Sequence, residues 1–284
     1  MILYSGFADE ISPVLAEQSA ALQRLGISFV ELRGVNGTNV SDLTDAEAAE
    51  ASKQLKDAGI AVSAIGSPIG KISITDDFEA HFEKFLHTLD LAEIFGTDRI
   101  RLFSFYIPKD EDPSVYREEV LYRMKRMTAE AEKRGIVLQH ENEKEIYGDS
   151  AERCLDIFKS VGSPYLRATF DPANFVQCQE DPLAAYRLLF PYITYMHIKD
   201  ARKDGTVVTA GEGDGHVEEI LSDLLRHGYS GFLSLEPHLT DFNGLASLER
   251  ENRSTIAHRE EEPEELFRYA FEALQDIMKR MDQE

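Results

Sequence analysis

Val137-Leu138-Gln139-His140-Glu141-Asn142-Glu143 is a short apolar run that ends abruptly in polar and charged groups. The pattern returns three times downstream. Leu166-Arg167-Ala168-Thr169-Phe170 runs into Asp171, Tyr192-Ile193-Thr194-Tyr195-Met196 into His197, and Gly231-Phe232-Leu233-Ser234-Leu235 into Glu236. Each run is too continuous to leave one face wet, as expected of parallel strands covered on both sides. Strands that each deliver a metal-capable side chain at the C-terminal end point to one shared site.

Outward from this stretch, strand-like segments recur near 2–6, 28–33, 60–66, 98–105, 136–141, 166–171, 192–198 and 231–236. Helical patterns of roughly ten to twenty residues separate them. Ser12-Pro13 and Asp112-Pro113 each offer an N-cap followed by proline at the first helical position. Thr44-Asp45-Ala46-Glu47 has the spacing of a capping box. Gly26, Gly59, Gly96, Gly135, Gly162 and Gly228 each fall between a helical run and a strand, where a left-handed residue closes the helix.

Eight strand-then-helix units predict a (β/α)₈ TIM barrel, an α/β fold, as a single domain over 1–284. A doubly wound open sheet would announce a phosphate-binding glycine turn after its first strand, and Gly6-Phe7-Ala8-Asp9-Glu10 does not. One long β8–α8 loop is expected at about 237–262, carrying Arg250, Arg253, His258 and Arg259. Its length suits a lid or a subunit contact on the active-site face.

The charge balance excludes some functions. Thirty Lys and Arg against 52 Asp and Glu give −22, a surface that repels phosphate backbones, so no nucleic-acid partner is expected. Cys154 and Cys178 are the only cysteines and form no spaced cluster, which argues for a reducing compartment. Met1-Ile2-Leu3-Tyr4-Ser5-Gly6 lacks a basic n-region, and no apolar run approaches membrane-spanning length. A cytoplasmic protein without a membrane partner is the expectation.

On a barrel, Glu141, Asp171, His197 and Glu236 sit at the ends of four neighbouring strands. Three carboxylates and one imidazole form a hard, oxygen-rich set that suits Mn²⁺ or Mg²⁺, with Co²⁺ or Zn²⁺ as further options. Each residue alone has a plainer explanation: an ion pair for Glu141, turn caps for Asp171 and Glu236, a satisfied core histidine for His197. Their equivalent positions on successive strands favour the shared site.

His140-Glu141-Asn142-Glu143, Phe170-Asp171-Pro172-Ala173-Asn174-Phe175, His197-Ile198-Lys199-Asp200 and Leu235-Glu236-Pro237-His238 resemble motifs of the xylose isomerase-like sugar phosphate isomerase/epimerase family. The resemblance spans essentially the whole chain. It implies one divalent metal, usually Mn²⁺, on Glu141, Asp171, His197 and Glu236, with Glu141 and Glu236 exchanging the substrate proton. It also implies a small sugar or sugar-derived substrate and no nucleotide cofactor. With the long loop, it favours a homodimer or homotetramer.

The chemistry is coherent. A proton beside a carbonyl is too weakly acidic to remove unaided, and a metal on the carbonyl and neighbouring hydroxyl oxygens stabilises the enediolate. One carboxylate takes the proton and a second, on the opposite face, returns one.

Lys71, Asn142, Asn174, Lys199 and His238 are candidate substrate-binding residues. Glu31 and Arg101, at strand ends two and four, are expected in a mutual or local ion pair. Gly211-Glu212-Gly213-Asp214-Gly215 matches no dinucleotide or P-loop pattern, and its acidic residues favour a hydroxyl-binding or conformational role over phosphate cradling. Two positions depart from the family. Asn174 stands where many members carry histidine, and Lys203, beside Arg202, stands where arginine is frequent. The expected activity is a metal-dependent isomerase or epimerase. Its rivals are a lyase or dehydratase on the same scaffold, an apurinic-site endonuclease, and a non-catalytic sugar-binding protein. The endonuclease fits poorly with −22 net charge and eight histidines.

Overall fold

The computed structural model describes residues 1–239, 255–256 and 261–281. Its eight main strands are β1 Ile2–Gly6, β2 Phe29–Leu32, β3 Ala61–Gly66, β4 Arg99–Leu102, β5 Val137–Glu141, β6 Leu166–Phe170, β7 Ile193–Ile198 and β8 Gly231–Leu235. They form one sheet in the order β1-β8-β7-β6-β5-β4-β3-β2. Every ladder in it is parallel. β1 and β2 lie side by side without a ladder among the described residues, so the barrel is nearly closed.

The surrounding helices are α1 Leu15–Leu25, α2 Asp45–Asp57, α3 Phe78–Phe95, α4 Arg117–Lys133, α5 Ala151–Val161, α6 Pro172–Gln177, α7 Pro182–Leu189, α8 Val217–Arg226 and α9 Pro263–Met281. Each of the longer ones buries an apolar stripe. In α8 the buried residues are Val217, Ile220, Leu221 and Leu224, the i, i+3, i+4, i+7 spacing of one helix face. At about 1.5–3 kcal/mol per buried aliphatic side chain, such stripes are what fix the helices to the sheet.

The expected punctuation is largely present. All six helix-closing glycines have φ between 69° and 84°. Thr44 and Glu47 make a reciprocal capping box. Asp112 caps a 3₁₀ turn at Pro113–Tyr116 that leads into α4. Ser12 is a correction: α1 begins at Leu15 with Val14 as N-cap. The Ser12 hydroxyl instead accepts from Val14 N at 3.1 Å and bonds to Glu17 at 2.5 Å.

β4 is also shorter than 98–105. Past Leu102 the chain leaves the ladder because Phe103 N donates to Ile69 O at 2.8 Å and Tyr106 N to Ile72 O at 2.9 Å. The loops after β3 and β4 are thereby tied to each other above the barrel.

After β7 a short hairpin pairs Asp200–Ala201 with Thr206–Val208, and Thr255–Ile256 adds in parallel to its outer strand. Arg250, Arg253, His258 and Arg259 lie outside the described residues. No helix among the described residues is long and apolar enough to cross a membrane.

Candidate metal centre

The strand ends bring Glu141, Asp171, His197 and Glu236 together. Each is at most 2% exposed, and one ligand atom from each lies within 4.8 Å of the others. His197 Nδ1 is 3.1 Å from Glu141 Oε1, 3.4 Å from Glu236 Oε2 and 4.0 Å from Asp171 Oδ2. Glu141 Oε2 and Asp171 Oδ2 make no hydrogen bond of good geometry but are met by the Arg101 and Lys199 cations at 3.3 and 2.9 Å. Three convergent buried carboxylates and one imidazole nitrogen form a donor set that a hard divalent cation satisfies. The residues fit the group.

What surrounds the cluster fixes it. Glu31, at the end of β2, receives His197 Nε2 at 3.1 and 3.3 Å, and Ser234 Oγ donates to Glu31 at 2.6 Å. Nε2 thus faces Glu31 and Nδ1 the other carboxylates. Burial is outweighed by the Glu31, Glu141 and Glu236 charges, which push the imidazole well above its usual range. In the metal-free protein both ring nitrogens therefore carry protons, and a cation at Nδ1 would displace one. Arg101 contacts Glu141 Oε2 at 3.3 Å and Glu236 Oε1 at 3.4 Å. Of the expected mutual or local ion pair, the local alternative is present: Glu31 pairs with His197 and Arg101 with Glu141 and Glu236.

Sequence reasoning missed Asp9, Glu10 and Arg33 altogether. Arg33 reaches Glu236 Oε1 at 3.2 Å while Asp9 grips it at 2.8 and 3.0 Å and Glu10 at 3.3 Å. Only the Gly6-Phe7-Ala8-Asp9-Glu10 acidic turn after β1 hinted at them. Phe7 forms the floor beneath Arg33, Arg101 and His197. Gly66 permits this, since a Cβ there would sit 2.6 Å from the Phe7 ring.

These charges set the protonation states. Burial alone would raise the Glu141 carboxyl, but His197 and Arg101 overcome it and hold it down to about 2. Glu236 is also pushed well below the usual range, burial being outweighed by Lys199, His238 and His197. Asp171 rises to about 6 because burial and the neighbouring Glu141 and Glu236 outweigh Lys199. Both proton-transfer candidates are therefore ionised near neutral pH.

The other candidates divide. Lys199 Nζ lies 2.9 Å from Asp171 Oδ2 and 3.1 Å from Glu236 Oε2. Asn174 donates to Glu141 Oε1 at 3.1 Å and to Asn142 O at 2.9 Å. Lys71, Lys199, Asn174 and His238 line one cleft with Glu141 and Glu236. Asn142 does not line it. Its amide clasps the peptide of Asp171, donating at 2.9 Å and accepting at 3.0 Å, so it holds the strand end that carries Asp171.

His238 Nε2 is 3.5 Å from both Glu10 and Glu236. Lys203 is exposed and lines a different pocket, with Asp214 and His216.

The 211–215 loop closes around the Asp200 carboxylate. Asp200 accepts from Ala201 N, Gly211 N, Gly213 N and Gly215 N at 2.8–3.0 Å. A Cβ on Gly213 would lie 2.3 Å from Asp200 Oδ1. The loop is an anion nest whose anion is the chain's own.

The architecture is an eight-stranded parallel barrel with a buried carboxylate–imidazole cluster at its C-terminal strand ends. The chain belongs to the xylose isomerase-like TIM barrel family, whose model matches residues 19–277. A 3-dehydroshikimate dehydratase of Bacillus anthracis is 24% identical over 175 residues, 62% of this chain and 62% of that protein. The alignment thus spans under two thirds of the relative. Two solved structures share the fold. An L-ribulose 3-epimerase superposes with TM-score 0.76 at 16% identity, covering 100% of this chain and 96% of the other. A xylose isomerase-like barrel protein of Mycobacterium smegmatis in complex with magnesium gives 0.69 at 20%, covering 92% and 88%.

Proposed function

We propose that this protein is a metal-dependent isomerase or epimerase that moves a proton at the carbon beside a carbonyl of a sugar-type substrate. The observation that carries the reading is the pair Glu141 and Glu236. Both are buried and ionised, they come from strands three places apart, and both touch His197 Nδ1 and Arg101.

Glu141, Asp171, His197 and Glu236 would hold the cation, with Mn²⁺ the favoured ion and Mg²⁺ a close second on the same oxygen-rich set. When bound, it supplies Lewis-acid polarisation of a carbonyl. Glu236 or Glu141 accepts the proton and the other returns one from the opposite side. Arg101 spans both carboxylates and, with His197, holds Glu141 ionised. Lys199, held cationic because Asp171, Glu236 and Glu141 outweigh its burial, is placed to donate to a substrate oxygen. Positioning by such buried groups matters because a misplacement of about 1 Å can cost about a hundredfold in rate.

A dehydratase reading shares the first step. The similarity to the Bacillus anthracis dehydratase favours keeping it. In that reading Lys199 gives its proton to a departing hydroxyl. NMR of products from a panel of keto-sugars separates the two. The epimer or isomer with deuterium at the reacting carbon supports the proposal, whereas an unsaturated, dehydrated product would replace it with the lyase.

A further inference from the structure

Lys71 is fixed with unusual tightness for a surface-loop lysine. Gly70 has φ +90°, and a Cβ there would lie 2.0 Å from Phe103 O, so the loop can approach β4 only with glycine at this position. Gly70 N donates to His81 Nε2 at 2.8 Å, and Phe103 N donates to Ile69 O at 2.8 Å. The Lys71 ammonium is thereby held 4.3 Å from the centre of the Phe103 ring, with Arg101 5.0 Å from the same ring. Through Arg101 this wall joins Glu141.

Glu143 faces Lys71 across the same cleft. Its Oε1 accepts from Lys144 N at 2.9 Å, and its Oε2 lies 3.3 Å from Lys71 Nζ. The two side chains are 5% and 12% exposed. A pair this buried gives little net stability after desolvation. It is also longer than the roughly 2.7–2.9 Å of a tight charge-assisted bond. An oxygen that accepts from the ammonium and donates to the carboxylate exchanges one long contact for two short ones. A hydroxyl does both; an ionised phosphate or carboxylate only accepts.

Resting on the reaction proposed above, we infer that Lys71 and Glu143 read a hydroxyl on the substrate and select a neutral polyol chain over a phosphorylated or carboxylated one. The rest of the cleft agrees. Arg101 and Lys199 already face carboxylates within 3.4 Å, so neither offers an unneutralised charge to an anion. An anion placed at Lys71 would lie against Glu143. The loop after β7, where barrels often take phosphate, spends its amides on Asp200.

Isothermal titration of the metal-loaded full chain tests this with free ketopentoses and ketohexoses and their terminal phosphate monoesters. Free sugars should bind at least about tenfold more tightly than their esters, the size of one well-placed hydrogen-bonding group. Lys71→Met should weaken free-sugar binding about tenfold with metal affinity unchanged, and Glu143→Gln should close most of the gap to the esters. Tighter binding of the esters, no binding of any free sugar, or variants that leave the preference intact would overturn the inference. The readout is binding. The expected preference without proton exchange would sink the proposed reaction and leave this inference standing.

Discussion

Glu31 holds His197 by Nε2, at 3.1 Å, and so decides which face of the imidazole meets the three carboxylates. The two residues are 166 positions apart in sequence and sit on β2 and β7. Loss of the acceptor frees both the tautomer and the ring. Glu31→Ala should therefore lower affinity for Mn²⁺ about 10–100-fold, read by metal titration, while the far-ultraviolet spectrum stays native. Unchanged affinity would show that His197 needs no orienting partner.

Acidification offers a second test, through His81. Its Nε2 accepts from Gly70 N, so the fold uses the neutral ring. Burial, then Lys84 and Arg123, depress its pKa from 6.5 to about 4. Between these values the unfolded chain binds a proton that the native chain refuses. This contribution is whole above pH 6.5 and is lost as pH falls toward 4, at most about 3 kcal/mol. Urea unfolding of wild type and His81→Gln, which keeps an acceptor, should diverge in slope over this window. Parallel curves would contradict it.

Proton competition at the centre gives a third. Asp171 titrates near 6 in the metal-free protein because burial and the Glu141 and Glu236 charges raise it. Binding requires its carboxylate and a His197 Nδ1 freed of the proton that Glu31, Glu141 and Glu236 hold there. Metal affinity should therefore rise with pH above 7 and weaken further as pH falls through 6. Equilibrium dialysis at stepped pH reads this directly. An affinity that does not change down to pH 5 would remove Asp171 from the ligand set.

The Asp200 nest predicts a stability effect apart from chemistry. Asp200→Ala leaves four inward amides without their acceptor and should destabilise by about 3 kcal/mol or more. Gly213→Ala drives a methyl into Asp200 Oδ1 and should cost about 1–3 kcal/mol. Thermal melts of both variants check it; native melting temperatures would mean the loop has another rigid solution.

The four clustered residues were legible because a strand end is a local pattern: apolar residues, then one charged group, repeated at four places. The groups that orient them were not. Glu31, Arg33 and Arg101 act across the barrel, and which of them meets His197, Glu236 or Glu141 follows from strand order and register alone. Glu31 and Arg101 read locally as ion-pair residues, which they are, but their partners lie on other strands. Ser12 failed for a similar reason: its hydroxyl finds Glu17 and Val14 N before the helix has begun. Asn142, adjacent to a ligand, suggested substrate contact, yet strand pairing brings the Asp171 peptide within its reach.

Solvent-deuterium incorporation is the most direct measurement of the central claim. Metal-loaded protein incubated in D₂O with keto-sugars should place deuterium at the carbon next to the carbonyl. Glu236→Gln, which keeps an oxygen ligand but cannot take the proton, should slow this by about 10²–10⁴. Undiminished exchange in Glu236→Gln, or no exchange by wild type with any keto-sugar, would contradict the assignment of Glu141 and Glu236 as the proton-transfer pair.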